Sequence, residues 1–268
     1  MVSGDALVLQ AGIDRIKQGR TLSGRRLSLA AAGCAAVAVL SVLTLSFYQP
    51  RCLIGAASAA LPDILFAVKT ERPLVALTFD DGPDSTVTPR VLEILQREHV
   101  LATWFVNGSA VAQHPDQLRA IVAGGHQLAN HMWDRTPAWT LTPERLAASV
   151  EATAAAVPGS DMRTMLRPAS GWIRPSSADW TRRKGYRIIL GSVYANDPLK
   201  PPPQYLTWAI VRMAQRGDIV VLHVGAGRER TAEALPGMIK GLRAKGLRFV
   251  RLSELLDSAT ATSQHRTN

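Results

Sequence analysis

Seven short apolar stretches rich in β-forming residues alternate with segments of helical pattern from residue 74 onward. They are Leu74–Phe79, Ala102–Val106, Gln127–His131, Met165–Arg167, Arg187–Ser192, Ile219–His223 and Arg248–Leu252. Thr88-Pro89 and Thr142-Pro143 each place a capping hydroxyl before a proline, which is typical of a helix start. Strands that alternate with helices are characteristic of a parallel sheet covered by its crossover helices. The sequence therefore predicts an α/β domain.

Side chains that carry chemistry follow four of these stretches. Asp80-Asp81-Gly82-Pro83 ends the first, and Asn130-His131, Arg167-Pro168 and Leu222-His223 close three others. In barrels the active-site residues come from the ends of several strands, so we predict a distorted (β/α) barrel of about seven strands instead of an open sheet. A carboxylate pair, two imidazoles and a guanidinium at one rim are the residue types of a metal-dependent hydrolase.

The N-terminal part of the chain contains a long uncharged segment. Residues 27–48 hold 22 residues without a charge, which as a helix would rise ~33 Å and match a hydrocarbon core of ~30 Å. Five Lys and Arg residues precede this segment and Arg51 alone follows it closely. The positive-inside rule then predicts a single-pass anchor in the cell membrane, with the N-terminus inside and the catalytic domain outside the cytoplasm. Ala57-Ser58-Ala59 resembles a cleavage site, so a cleaved signal peptide stays open as the alternative.

These features predict five regions. They are a basic cytoplasmic N-terminus at 1–26, the transmembrane anchor at 27–48, a linker at 49–71, the catalytic domain at 72–256 and a disordered tail at 257–268. Both cysteines, Cys34 and Cys52, precede the catalytic domain, so a metal there would need histidine and carboxylate ligands. Of the net charge of +10, residues 1–50 carry +3 and the remainder of the chain +7. This basic outer part suits an anionic lipid or wall polymer, and no nucleic-acid motif is present.

The first strand-end motif, with the other clusters in their order and spacing, resembles the polysaccharide deacetylases of the NodB-homology type. The resemblance covers roughly residues 72–256, and Thr78–Pro83 matches the first family motif without departure. It implies that Asp80 is the general base and that Asp81 binds a divalent metal. This division is chemically reasonable, because a metal-bound carboxylate stays ionised while its free neighbour can accept a proton from water.

The second motif departs from the family pattern. His131 resembles the first histidine of His-x-x-x-His, but the fifth position is Arg135, and a guanidinium does not ligate metals. We expect Asp134 to be the substitute, which gives a metal site of Asp81, His131 and Asp134. Zinc is the metal that the resemblance implies, and the added carboxylate makes Mn²⁺ or Mg²⁺ possible. The alternative is that Asp134 and Arg135 are a solvated pair and the metal site is lost.

The remaining motifs supply the other candidate residues. Arg167-Pro168-Ala169-Ser170-Gly171 resembles Arg-Pro-Pro-Tyr-Gly, which implies that Arg167 orients the base and that the Ser170 backbone N–H helps to hold the oxyanion. Trp172 or Trp133 could replace the missing aromatic wall. The resemblance makes His223 the general acid and places Leu222 in the acetyl pocket. Asp197 could pair with Arg167, tune His223 or serve only the turn before Pro198.

Together these observations predict a metal-dependent hydrolase that removes N-acetyl groups from a cell-envelope or chitin-like polysaccharide. The same residues could cleave an acetyl ester, so N- and O-deacetylation both remain open. Arg135 motivates an alternative from another class, a catalytically impaired, membrane-tethered saccharide-binding homologue. A small-molecule amidohydrolase is a third possibility.

Overall fold

A computed structural model describes residues 33–35, 37, 41, 50–157 and 160–264. The chain divides into two compact units, 1–49 and 50–268. The five described residues of the first unit are helical, and the rest of the predicted anchor at 27–48 lies outside the described residues. Among the residues that the structure describes, no helix has the length and apolar character required to cross a membrane. The anchor therefore stays a prediction.

The second unit alternates strands and helices. Its strands are β1 (Ile64–Leu65), β2 (Leu74–Asp80), β3 (Thr103–Val106), β4 (Gln127–Asn130), β5 (Met165–Leu166), β6 (Arg187–Ile189), β7 (Val193–Tyr194), β8 (Ile219–His223) and β9 (Arg248–Phe249). Its helices are α1 (Arg51–Ala60), α2 (Val87–Arg97), α3 (Gly108–Gln113), α4 (Pro115–Ala123), α5 (Pro143–Ala156), α6 (Pro175–Arg183), α7 (Pro203–Met213), α8 (Glu229–Ala244) and α9 (Leu252–Gln264). Short 3-10 turns lie at Ala138–Thr140, Ser160–Arg163 and Asp197–Leu199.

The strands form one curled, parallel sheet. Their order is β1-β6-β5-β4-β3-β2-β8-β7, and β9 also pairs with β2. Only Leu190–Ser192 separates β6 from β7, yet β6 pairs with β5 and β7 pairs with β8, near opposite ends of this row. The sheet must therefore curl to bring its two sides together. This confirms the α/β class and is consistent with the predicted (β/α) barrel.

The strand register brings the carboxyl ends of the strands to one edge. Asp80, the last residue of β2, lies opposite His223, the last residue of β8. Val106 at the end of β3 pairs with Asn130 on β4, which pairs with Leu166 on β5. The residues that follow these strands consequently emerge side by side, as the barrel prediction requires.

The core explains why β2 lies at the centre of the sheet. All seven of its residues are buried, because β3 and β8 flank it and helices cover its outer face. The rings of Phe79 and Trp104 lie 4.9 Å apart, and both side chains are fully buried. On α2, Val87, Val91 and Leu95 recur every four residues and face the same core. A central strand of this kind holds its C-terminal carboxylate in a fixed position.

The two predicted helix starts have different outcomes. The Thr142 hydroxyl accepts the N–H of Arg145 at 3.4 Å, with Pro143 in the first turn, as predicted. Helix α2 instead begins at Val87, and the Asp84 carboxylate accepts the backbone N–H groups of Val87 and Thr88 at 3.0 and 2.8 Å. A carboxylate has two acceptor oxygens, so it can cap several free N–H groups where a hydroxyl serves one or two.

Regular structure also extends beyond the predicted boundaries. The expected linker at 49–71 contains α1 and the strand β1, which pairs with β6. The expected disordered tail begins at 257, but α9 continues to Gln264. Leu252, Leu255 and Ser258 share one buried face of this helix, and α9 packs against β2. That packing stabilises residues whose polar composition alone indicates disorder.

Candidate active site

Asp80 and Arg167 form a buried ion pair at the strand edge. Arg167 Nη1 donates to Asp80 Oδ1 at 2.5 Å and to the Thr78 hydroxyl at 2.8 Å, while its Nε donates to the Ile189 carbonyl at 3.0 Å. Both charged side chains are 3% exposed, and the guanidinium lies 4.0 Å from the centre of the Phe105 ring. These contacts fix the Asp80 carboxylate, which is the orienting role that the resemblance implies for Arg167.

The partnering of Arg167 is incomplete. Within the described part of the chain, its Nη2 atom is buried and has no hydrogen-bond partner. Burial lowers the pKa of Arg167, while the charge of Asp80 and the hydrogen bond to it act in the opposite direction. A buried N–H without a partner is costly, and such groups are found at sites where a ligand supplies the missing acceptor.

Asp81 adopts a left-handed backbone conformation with φ 76° directly after β2. Its carboxylate lies between two basic side chains, with Oδ1 3.5 Å from His131 Nε2 and Oδ2 3.4 Å from Arg135 Nε. Burial favours the neutral acid, but the hydrogen bond and charge of His131, with the charges of His223 and Arg135, lower the Asp81 pKa to about 2. Asp81 is therefore a permanent anion at the mouth of the site.

His131 is held by the neighbouring strand end. Its Nδ1 donates to the Arg167 carbonyl at 2.7 Å, which leaves Nε2 directed at Asp81. A backbone carbonyl on one ring nitrogen is the arrangement that orients ligating histidines in metal sites. Asp81 and His131, two of the expected metal ligands, are thus brought together.

The third expected ligand is not in place. Asp134 is exposed, and its Oδ1 accepts the backbone N–H of Thr136 at 2.8 Å. Over the described residues, no three His, Cys, Asp or Glu side chains lie close enough together to hold a metal ion. The predicted triad of Asp81, His131 and Asp134 is therefore not assembled, because Asp134 stabilises its own turn. Arg135, the next residue, contacts Asp81 instead.

This donor set does not fit the metal that the resemblance implies. Catalytic zinc sites use three protein ligands and keep a fourth position open. Here two ligands converge, and the other oxygen of Asp81 faces a guanidinium, which has no lone pair to offer.

His223 and Asp197 form the second charge pair of the site. Asp197 accepts from His223 Nδ1 at 2.9 Å and from the His223 backbone N–H at 2.7 Å, and the Thr231 hydroxyl adds a bond of 3.0 Å. Of the three possibilities for Asp197, the structure shows the pairing with His223. Burial disfavours the charged imidazole, but the hydrogen bond and charge of Asp197, with the charges of Asp80 and Asp81, raise the His223 pKa overall.

The remaining predicted site residues lie in different environments. Ser170 is exposed and has φ 67°, followed by Gly171 with φ 74°, so the backbone turns sharply there. Trp172 is 73% exposed. Leu222 is fully buried in the hydrophobic cluster that also contains Phe79. Leu222 has no accessible surface here, and its expected place in an acetyl pocket stays a prediction. Its neighbour His223 faces the other side of β8.

Sequence reasoning missed Asn107, which connects two turns of the site. Its backbone N–H donates to the Gly82 carbonyl at 3.1 Å, and its Nδ2 donates to the His131 carbonyl at 2.6 Å. Asn107 is buried and directly follows β3. A polar residue immediately after an apolar strand was the signal that could have identified it, since Asp80, His131 and His223 were found in that way.

The chain is similar to proteins of known activity. The family profile described as polysaccharide deacetylase matches residues 67–189. The chain is 30% identical over 203 residues to a peptidoglycan-N-acetylglucosamine deacetylase of Bacillus cereus, and the aligned region covers 72% of this chain and 92% of that protein. It is 32% identical over 198 residues to a chitooligosaccharide deacetylase of Bradyrhizobium sp., and this aligned region covers 68% of this chain and 90% of the Bradyrhizobium protein.

A solved structure shares the fold. The crystal structure of the Bc1960 peptidoglycan N-acetylglucosamine deacetylase, in complex with 4-naphthalen-1-yl-N-oxidanyl-benzamide, superposes with a TM-score of 0.71 at 25% identity. The match covers 75% of this chain and 96% of that chain.

Proposed function

Because this chain belongs to the polysaccharide deacetylase family, we propose that it hydrolyses the N-acetyl groups of glucosamine units in a cell-envelope polysaccharide. The observation that carries the proposal is the placement of Asp80 opposite His223, each with a buried partner of opposite charge. The names of the similar proteins support the substrate class, since peptidoglycan and chitooligosaccharides both contain N-acetylglucosamine.

Each of the two charge pairs carries out one proton transfer of amide hydrolysis. Asp80 accepts a proton from water as the water oxygen attacks the acetyl carbonyl carbon. Burial opposes the charged imidazole, but the partners of His223 raise its pKa above the ordinary value and so favour the protonated form, and His223 can protonate the nitrogen as the C–N bond breaks. The products are acetate and a free amino sugar.

Other residues position these groups. Arg167 holds Asp80 Oδ1, which directs the second oxygen of the carboxylate to the water. Asp197 binds His223 Nδ1, so that Nε2 is the atom that delivers the proton. The backbone N–H of Ser170, in its exposed turn, is a candidate donor for the oxyanion. No step is assigned to a metal, because the donor set does not fit one.

We further propose that the enzyme acts outside the cytoplasmic membrane, tethered through residues 27–48. This rests on the uncharged segment and the basic residues before it. An exported enzyme meets the wall polymer directly, and the net charge of +7 on residues 51–268 favours binding to an anionic wall.

Acetate release from peptidoglycan and from chitin oligomers tests the proposed function. The full-length chain should release acetate from at least one of these polymers, and D80N should not. Binding of either glycan without acetate release would instead indicate the saccharide-binding alternative. Release from short amides but not from polymers would indicate a small-molecule amidohydrolase, and release from O-acetyl esters alone would change the bond that is cleaved.

A further inference from the structure

Arg135 occupies the mouth of the site although it belongs to an exposed loop. Its side chain is 55% exposed, whereas the Asp81 carboxylate that it contacts is 10% exposed. In the loop between β4 and the turn at Ala138–Thr140, Asp134 accepts the backbone N–H of Thr136, whereas Arg135 Nε lies 3.4 Å from Asp81 Oδ2. A long cationic side chain therefore reaches from the solvent to a buried anion.

The contact lies on the side of Asp81 that His131 leaves free. His131 Nε2 faces Oδ1 and Arg135 Nε faces Oδ2. One carboxylate thus has an imidazole on one oxygen and a guanidinium on the other. A metal ion bound by both oxygens of Asp81 would have to displace Arg135. A metal ion bound by Oδ1 and His131 alone would have two protein ligands, fewer than catalytic sites use.

The guanidinium also extends to the loop after β8. A Cβ placed on Gly225 would come within 2.8 Å of Arg135 Nη2, so the guanidinium lies against bare backbone there. Gly225 has φ 122° and follows His223 by two residues. Arg135 therefore spans the opening from the Asp81 turn to the His223 loop.

We infer that Arg135 is the resident cation of this active site, where it neutralises Asp81 in the place of a bound metal and donates to the acetyl carbonyl oxygen of the substrate. The inference rests on the proposed function for the identity of that oxygen, but the absence of a metal requirement can be tested without it. A guanidinium keeps its proton and presents several N–H donors in a plane, which suits an anion and a developing oxyanion together.

Metal binding to the full-length chain is the direct test. The wild-type chain, the R135H variant and a matched control, R145H, are equilibrated with zinc or with manganese, freed of unbound ion and analysed for metal per chain. R135H places histidines at positions 131 and 135, which is the His-x-x-x-His spacing of the family motif, and Asp81 supplies the third ligand. This variant should hold about one zinc per chain, as three-ligand sites do. The wild type and R145H should hold the same, substoichiometric amount. Adding D81N to R135H should remove the extra zinc.

Several outcomes decide the inference. The inference would be overturned, whatever the activity, if the wild-type chain kept one tightly bound metal ion and R135H bound no more metal than the wild type. Thermal melts of each variant show whether a loss of metal reflects unfolding, and R135Q provides a second substitution that retains polarity without charge. If the chain hydrolyses amides, kcat/KM is measured for R135Q and for the wild type in the presence of a chelator. The value for R135Q should be about 100-fold lower, because the loss of one oxyanion donor has an effect of that size. A chain that releases no acetate, either after metal removal or with zinc or manganese added back, would end the proposed function, and the metal content of the variants would still decide the inference.

Discussion

The active site has two halves that differ in how deeply the fold buries them. The acid–base half consists of Asp80, Arg167, Asp197 and His223, and the cation half consists of Asp81, His131, Asp134 and Arg135. In the acid–base half every side chain is at most 15% exposed. In the cation half Asp81 and His131 are similarly buried, but Asp134 and Arg135 lie on an exposed loop.

This difference shows where the site can tolerate change. Asp80 and Asp197 are buried, and each accepts a hydrogen bond from a basic side chain that is at most 15% exposed. Replacing one member of a pair leaves an uncompensated charge. Arg135 contacts Asp81 from the solvent side, where a different side chain costs little stability. The departure from the His-x-x-x-His motif accordingly lies at the exposed Arg135.

The largest expected effect is the loss of catalysis in D80N. Asparagine still accepts from Arg167 but cannot take a proton from water. The rate of acetate release should fall by about 10²–10⁴-fold, the usual contribution of a general base. D63N alters an exposed carboxylate that pairs with Arg182 and should leave the rate unchanged. A D80N rate within threefold of wild type would remove Asp80 from the mechanism.

The next effect concerns stability and comes from R167M, which leaves Asp80 buried without its partner. The free energy of unfolding, measured by denaturant titration, should fall by about 3–5 kcal/mol. R182M is the matched control, because the Arg182–Asp63 pair is more than half exposed on both sides, and it should change stability by less than about 1 kcal/mol. Equal effects of the two variants would contradict the claim that burial distinguishes the acid–base half.

D197N should change the pH dependence of acetate release more than its maximum. The folded-state pKa of His223 is raised, chiefly by Asp197 against the opposing effect of burial. The imidazolium therefore persists to higher pH, and activity is lost as pH rises through that pKa. Without the Asp197 charge the alkaline limb should move to lower pH, so the rate at neutral pH should fall more than the maximal rate. An unmoved alkaline limb would mean that His223 does not supply the proton.

The smallest effect is expected for D134N in the cation half. Asparagine can accept the Thr136 N–H as aspartate does, so stability should change by less than about 1 kcal/mol. Acetate release and metal content should match those of the wild type. Loss of metal or of activity in D134N would restore the ligand role that the sequence predicted for Asp134.

The sequence predicts the strand ends of this fold better than its loops. The residues after β2, β4 and β8 were identified because polar side chains end long apolar strands. The strands β1 and β7 have two residues each, and their existence depends on pairing with β6 and β8, which no local pattern records. The choice between Asp134 and Arg135 depends on a single turn hydrogen bond. The burial of Leu222 could not be predicted, because the alternation along a strand does not show which of its two faces the rest of the fold covers.

The most direct test of this account is acetate release by the full-length chain after exhaustive dialysis against a chelator. The account predicts that release from peptidoglycan or chitin oligomers continues at the undialysed rate, because Arg135 supplies the positive charge beside Asp81. Loss of release on dialysis, followed by recovery when zinc or manganese is added back, would contradict it.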